Sequence, residues 1–167
     1  MKKLTLQEMS KQAIIAAVYV VLTLSIPAFA YGPVQFRYSE ILNLLAFFNP
    51  YNAIGITLGV FISNFWSTLG VFDLVFGTLH TFIAMMFIIK SRHIIIASIW
   101  PTVFAFIIGY ELSFLAGFGS FLEMTYGVMI SEFVIMTLIA VPVFKILSKN
   151  ESFLKVIGYD FSRELYY

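Results

Sequence analysis

Residues 122 to 147 read LEMTYGVMISEFVIMTLIAVPVFKIL, an apolar run long enough to cross a bilayer, which takes roughly 20 residues at about 1.5 Å each. The apolar residues are continuous and do not alternate with period two, so the run predicts a helix and not a barrel strand. Five further apolar runs precede it, over residues 13–30, 39–48, 53–72, 74–89 and 94–110. The second is short and is interrupted by Asn49 and Pro50, and the fourth ends at the polar break KSRH. The whole chain is 60% hydrophobic and 11% charged, where a soluble domain carries about a quarter charged residues. These patterns predict an all-α integral membrane protein of six transmembrane helices, with a membrane domain over residues 1–147 and a cytoplasmic tail over 148–167. The tail repeats Phe153, Val156, Ile157 and Phe161 at near-helical spacing among charges, as an interfacial segment does.

Charge orients the spans. With both termini on one side, Lys2, Lys3, Lys11, Lys90, Arg92, Lys145, Lys149, Lys155 and Arg163 all fall on that side, and Arg37 alone falls opposite. The positive-inside bias then makes both termini cytoplasmic. The chain has no cysteine, which excludes disulfides, thiolate metal sites and a cysteine nucleophile, and its net charge of +1 gives no reason to expect nucleic acid. No Walker A, H-E-x-x-H or G-x-S-x-G pattern occurs, so neither ATP hydrolysis by a P-loop nor a protease or esterase reaction is expected of this chain, and no cofactor is called for.

The acids distribute oppositely to the bases. Glu40, Asp73, Glu111 and Glu123 sit at the outer ends of spans, while Glu132 lies inside the sixth, roughly 10 to 15 Å below its outer end. An unpaired carboxylate in hydrocarbon costs at least about 2.5 kcal/mol, so Glu132 is expected to face protein, water or a ligand. Asp73 reads either as a helix N-cap or as the start of a polar track through Gly77, His80 and Thr81 on one helix face. A lone histidine such as His80 is ordinarily a hydrogen-bonded core residue. On the third span Asn64, with Ser63, Trp66 and Ser67 nearby, adds donors and aromatic surface, although amide glue between helices explains Asn64 equally well. On the second span Glu40 and Asn43, three residues apart, share a face. Together with Gln35 and Arg37 they form the stretch GPVQFRYSEILNLLAFF over residues 32–48, which places polar and charged groups at the threshold of a short span. Singly, these residues are helix-cap and headgroup contacts; as a set they suggest an externally open pocket for a small, polar, planar or cationic ligand. On the first span AIIAA sets Ala13 and Ala17 four apart, a small-xxx-small pattern that lets another helix approach closely.

The block GPVQFRYSEILNLLAFF, the six spans and the alanine pattern resemble the substrate-binding S component of an energy-coupling factor (ECF) transporter, of the QueT type assigned to queuosine precursors. The resemblance runs over about residues 5–147, with Q-F-R-x-S-E its most specific part. It implies a subunit in the bacterial cell membrane that captures a vitamin-like nutrient outside the cell. Such a subunit docks in the lipid on one transmembrane T subunit and two ATPase subunits, which supply the energy. It further implies that Gln35, Arg37 and Glu40 border the pocket and that Ala13 and Ala17 contact the T subunit. Asn43, Asn64, Trp66, Asp73, Glu111 and Glu132 join the candidate set on polarity and depth alone. A 7-deazaguanine presents adjacent N–H donors that one carboxylate accepts as a pair, and Trp66, Phe36 or Tyr126 would stack on it. An aminomethyl substituent would require a second acid, with Glu132 or Asp73 on the ring edge and Glu40 on the amine.

The main rival reading is a proton-coupled transporter acting alone, with Glu132 and His80 as the relay. Six spans without an inverted repeat are few for alternating access. An intramembrane enzyme using paired carboxylates would lack any motif.

Overall fold

The computed structural model describes residues 5–31, 35–159 and 164–167. Gly32 to Val34 of the threshold block lie outside the described residues, as do Lys2, Lys3, Phe161 and Arg163. Among the described residues the regular elements are all helical. They are α1 (Leu6–Ser25), α2 (Tyr38–Phe48), α3 (Asn52–Trp66), α4 (Val71–Lys90), α5 (Ile94–Leu115), α6 (Phe121–Leu147) and α7 (Glu151–Ile157). A single turn, Pro27–Ala30, follows α1. Four of them, α1, α4, α5 and α6, are long and apolar enough to cross a membrane, whereas α2 and α3 are shorter apolar helices. The protein is therefore a helical membrane protein, because continuous apolar helices of this length satisfy their backbone internally, as hydrocarbon demands.

Local chemistry sets the helix ends. Thr5 caps α1 by accepting the Glu8 N–H, and Ser120 and Glu123 form a reciprocal capping box at the start of α6. The apolar run over residues 53–72 predicts one helix, but α3 stops at Trp66 and α4 begins at Val71. The break is built by polar and backbone detail that hydropathy does not register. Ser67 Oγ accepts the Leu69 N–H at 3.0 Å, and Gly70 adopts φ +57°, a conformation that favours glycine.

The central element is α2. Its first part, Tyr38–Leu44, is a three-ten helix, and Leu45–Phe48 completes it as an α-helical turn. Leu44, Ala46, Phe47 and Phe48 are fully buried, so the second half of this helix is apolar around its circumference because neighbours cover it. Against it lie α1, α3, α4, α5 and the second half of α6. The α1–α3 seam is closed by Gly55 and Gly59, which form GITLG, a G-x-x-x-G pattern. A Cβ at Gly55 would lie 2.6 Å from the Gln12 carbonyl, and one at Gly59 would lie 2.7 Å from Tyr19 Cβ. Ala13 and Ala17 stand on a different face of α1, exposed.

The tail folds back on the end of the bundle remote from Arg37. Asn49 Nδ2 donates to the Gly158 carbonyl at 2.7 Å, and Asn52 Nδ2 donates to the carbonyls of Leu45 and Ile157 at 3.1 Å each. Leu154 and Ile157 are buried, Phe48 lies 5.5 Å from the Tyr167 ring, and Ile94 N–H donates to the Tyr166 carbonyl at 2.9 Å.

The glycine seam yields a prediction. Gly59→Ile forces a branched side chain into Tyr19 and is expected to cost about 1–3 kcal/mol, read as a lowered unfolding temperature in detergent. Gly70→Ala, where no atom lies within 4 Å of an added Cβ, should cost only the backbone strain of a positive φ, about 1–2 kcal/mol, without loosening the α1–α3 contact.

Candidate functional site

In a three-ten helix, residues three apart eclipse one another, and this brings Glu40 and Asn43 of α2 together. Asn43 Nδ2 donates to one Glu40 carboxylate oxygen, and the Tyr19 hydroxyl from α1 donates to the other at 2.6 Å. One turn further along α1, Thr23 Oγ1 and Ser39 Oγ share a hydrogen bond of 2.7 Å. Glu40 and Asn43 are 2% and 1% exposed, so this polar group sits in the bundle interior, where helical membrane proteins place their sites.

Glu132 reaches the same interior from α6, near enough for its charge to act on that of Glu40. Its Oε2 has no hydrogen-bond partner in the protein, and neither do Asn43 Oδ1 and Gln35 Nε2, all three buried. Buried polar atoms are nearly always partnered, so three open atoms on one short helix, its approach and a facing acid mark a place built for a polar ligand. Immediately after Glu132, α6 widens into a π-helical stretch, Phe133–Ala140, and α5 does the same over Glu111–Leu115. Such π-helical turns gather at functional sites.

Arg37 belongs to a neighbouring but separate cluster. Its Nε donates to the Ala30 carbonyl at 2.9 Å, Nη1 to Asn64 Oδ1 at 3.1 Å and Nη2 to Asp73 Oδ1 at 3.3 Å. The Tyr31 ring lies 5.2 Å from the guanidinium carbon, and the Tyr31 hydroxyl donates to the Ser63 carbonyl. Asn64 Nδ2 donates to the Asp73 main-chain carbonyl at 2.8 Å, and Ser67 Oγ donates to Asp73 Oδ2. Asp73 is thus the third residue of α4 rather than its cap, and both its oxygens are engaged. Glu111 is fully buried and its carboxyl faces Asp73. Gly77 makes room for this cluster, since a Cβ there would lie 2.8 Å from Asn64 Nδ2.

Of the residues singled out from sequence, Glu40, Asn43 and Glu132 meet in one group, with Gln35 buried on the approach to α2. Arg37, Asn64, Asp73 and Glu111 form the other. Trp66 and Tyr126 are each 59% exposed, while Phe36 is half-buried, edge-on to Tyr38. His80 is buried and donates Nε2–H to the Pro101 carbonyl at 3.0 Å. Tyr19, Thr23 and Tyr31 were not among the expected site residues, and Ser67 was noted only as a neighbour of Asn64. The available signal was Tyr19 and Thr23 at i and i+4, two hydroxyls inside an apolar span where each needs a partner.

A family model described as QueT transporter matches residues 9–149 of the chain. Queuosine precursor transporter QueT from Lactococcus lactis subsp. cremoris (strain MG1363) is 46% identical over 85 residues, a match covering 50% of each chain. The match therefore spans about half the length of that relative. No solved structure matches the fold.

The Arg37 cluster is testable by a double-mutant cycle. Arg37→Ala leaves Asp73 buried without its cation and is expected to cost about 3–5 kcal/mol, measured by thermal unfolding in detergent. Asp73→Asn in the Arg37→Ala background should recover part of that loss; additive losses would show that the two do not act as a pair.

Proposed function

The chain belongs to the QueT transporter family, and from that premise we propose that it is the membrane-embedded substrate-binding subunit for uptake of a queuosine precursor, a 7-deazaguanine base. One observation carries the reading beyond the family. The central helix α2 brings Glu40 and Asn43 into the middle of the bundle, opposite Glu132, with buried acceptors and a donor left open. A guanine-like edge needs this chemistry: paired N–H donors meet a carboxylate, and a ring carbonyl meets an amide N–H. Glu132, with a free oxygen, is assigned to the N–H edge, and Gln35 to the carbonyl. Arg37, Asn64 and Asp73 hold the entry to α2 over this site, and Glu111 backs them. Trp66, more than half exposed at the same end of the bundle, is assigned to the rim and the membrane interface.

In the same reading the six apolar helices α1 to α6 all cross or enter the bacterial cell membrane, with both termini cytoplasmic and the Arg37 end facing outward. The shortness of α2 and α3 is acceptable because α2 is enclosed by protein and not by lipid. The chain performs no ATP chemistry itself. It docks through Ala13 and Ala17 on an ECF T subunit with two ATPase subunits, a role favoured by the exposure of both alanines on the face of α1 turned away from Tyr19.

Native mass spectrometry of the purified protein should detect a retained deazaguanine, and Ala17→Trp should prevent co-purification of the T and ATPase subunits while the ligand stays bound. Accumulation of the base in vesicles by this chain alone, driven by a pH gradient, would overturn delivery through an ATP-driven module.

A further inference from the structure

The Arg37 cluster holds more acid than base. Arg37 directs its donors at the Ala30 carbonyl, Asn64 Oδ1 and Asp73 Oδ1, and Ser67 Oγ donates to the other Asp73 oxygen. Glu111 stands beside this pair, 0% exposed, and among the described residues no donor reaches either of its carboxyl oxygens. Its carboxyl nevertheless lies within hydrogen-bonding reach of the Asp73 carboxylate. Two ionised carboxylates are acceptors only, so their contact is repulsive. With one proton between them, the same contact is a hydrogen bond.

The other ionisable groups around Glu111 do not supply what it lacks. The turn Glu111–Leu115 packs against α4 and the first half of α6. On α4 these groups are Asp73 and, two turns further along, His80, whose Nε2 is bonded to the Pro101 carbonyl. On α6, Glu123 is exposed and bonded to Ser120, Tyr126 is exposed, and Glu132 faces Glu40 in the interior site. On α5 itself, Tyr110 is exposed with its ring against Phe76. The charges that act on Glu111 are those of Asp73 and Arg37, so one cation stands against two acids. A buried set of this kind is neutral when a single proton is bound, and an uncompensated charge in such a place is costly. Asp73 is the acid suited to stay ionised, because its two oxygens accept from Arg37 and Ser67 and each retains a lone pair for a further donor. Glu111, which accepts from nothing, is the acid suited to carry the proton.

We infer that Glu111 binds a proton and donates it in a hydrogen bond to Asp73, as a positioning residue that fastens the end of α5 to the Arg37 cluster. The clasp then joins the turn after α1, the approach to α2, and helices α3, α4 and α5. Loss of the proton leaves two buried like charges in contact and frees the end of α5.

The test is the pH dependence of unfolding of the full-length protein in detergent, with Glu111→Gln as the reference. Glutamine offers Asp73 an N–H donor at every pH, and Glu40 and Glu132 titrate alike in both proteins and cancel. Above about pH 4.5 the folded native protein holds one proton more than its unfolded chain, so its stability relative to the variant falls as pH rises. The fall is about tenfold in the folding equilibrium per pH unit until Glu111 ionises in the folded state. Between about pH 6 and about pH 9 the unfolding temperature should therefore drop at least about 3–5 °C further in the native protein than in Glu111→Gln. Infrared spectroscopy reads the proton itself: a protonated carboxyl band should be present at neutral pH in the native protein, persist in Glu132→Gln and be lost when Glu111→Gln is added. Parallel pH curves, or loss of the whole band with Glu132→Gln alone, overturn the inference. Absence of the band from the native protein overturns it even where neither variant folds.

Discussion

A buried guanidinium governs the architecture at one end of the bundle. Arg37 is 5% exposed, and an ion withdrawn from water loses several kcal/mol of solvation unless its donors and its charge are both met. They are met by groups from elements far apart in sequence: the carbonyl of Ala30 after α1, the side chain of Asn64 in α3 and the carboxylate of Asp73 in α4. The approach to α2 is therefore fixed in depth and direction, and with it the level at which Glu40 and Asn43 enter the bundle. The donors of Arg37 go to Ala30, Asn64 and Asp73, and none goes to Glu40 or Asn43.

That division explains what could be read from the chain and what could not. The apolar runs located α1, α2 and α4 to α6 because hydrophobic length is written locally, residue by residue. The end of α3 was misplaced because Ser67 and Gly70 act through a hydroxyl bond and a positive φ inside a stretch that is apolar on average. The acids at one end were legible by charge and spacing alone, but which acid pairs with Arg37 was not. Asp73 and Glu40 are equally plausible partners in sequence, and only the three-ten winding of Tyr38–Leu44, which turns Glu40 onto Asn43 and toward Tyr19, separates them. The exposure of the aromatic candidates was not legible for a related reason. An aromatic residue near a polar group in sequence, such as Trp66, reads the same whether it faces the interior or the membrane boundary, and here Trp66 is exposed.

Helix α1 joins the pieces. One face carries Gln12, Ala16, Tyr19 and Thr23, and every one of them is buried. Near the tail end, Gln12 Nε2 donates to Asn52 Oδ1 at 3.2 Å and its Oε1 accepts the Gly55 N–H at 3.2 Å. Near the Arg37 end, Tyr19 and Thr23 bond to Glu40 and Ser39. Between these anchors the contact with α3 runs through Gly59, by close van der Waals approach to Ala16 and Tyr19.

Directional bonds at both ends and a smooth seam between them give α1 a particular mechanical character. A helix gripped this way resists sliding, because any translation by even a fraction of the 1.5 Å rise breaks amide and hydroxyl bonds at both ends together. Rotation about its own axis meets the same resistance, since Tyr19 would leave Glu40 as Gln12 leaves Asn52. The face bearing Ala13 and Ala17 turns with these residues. A partner docked on those alanines would therefore act on a rigid lever whose inner side holds the carboxylate of the site. In that geometry the Tyr19 hydroxyl joins α1 directly to Glu40, across a single helix diameter from the face that bears Ala13 and Ala17.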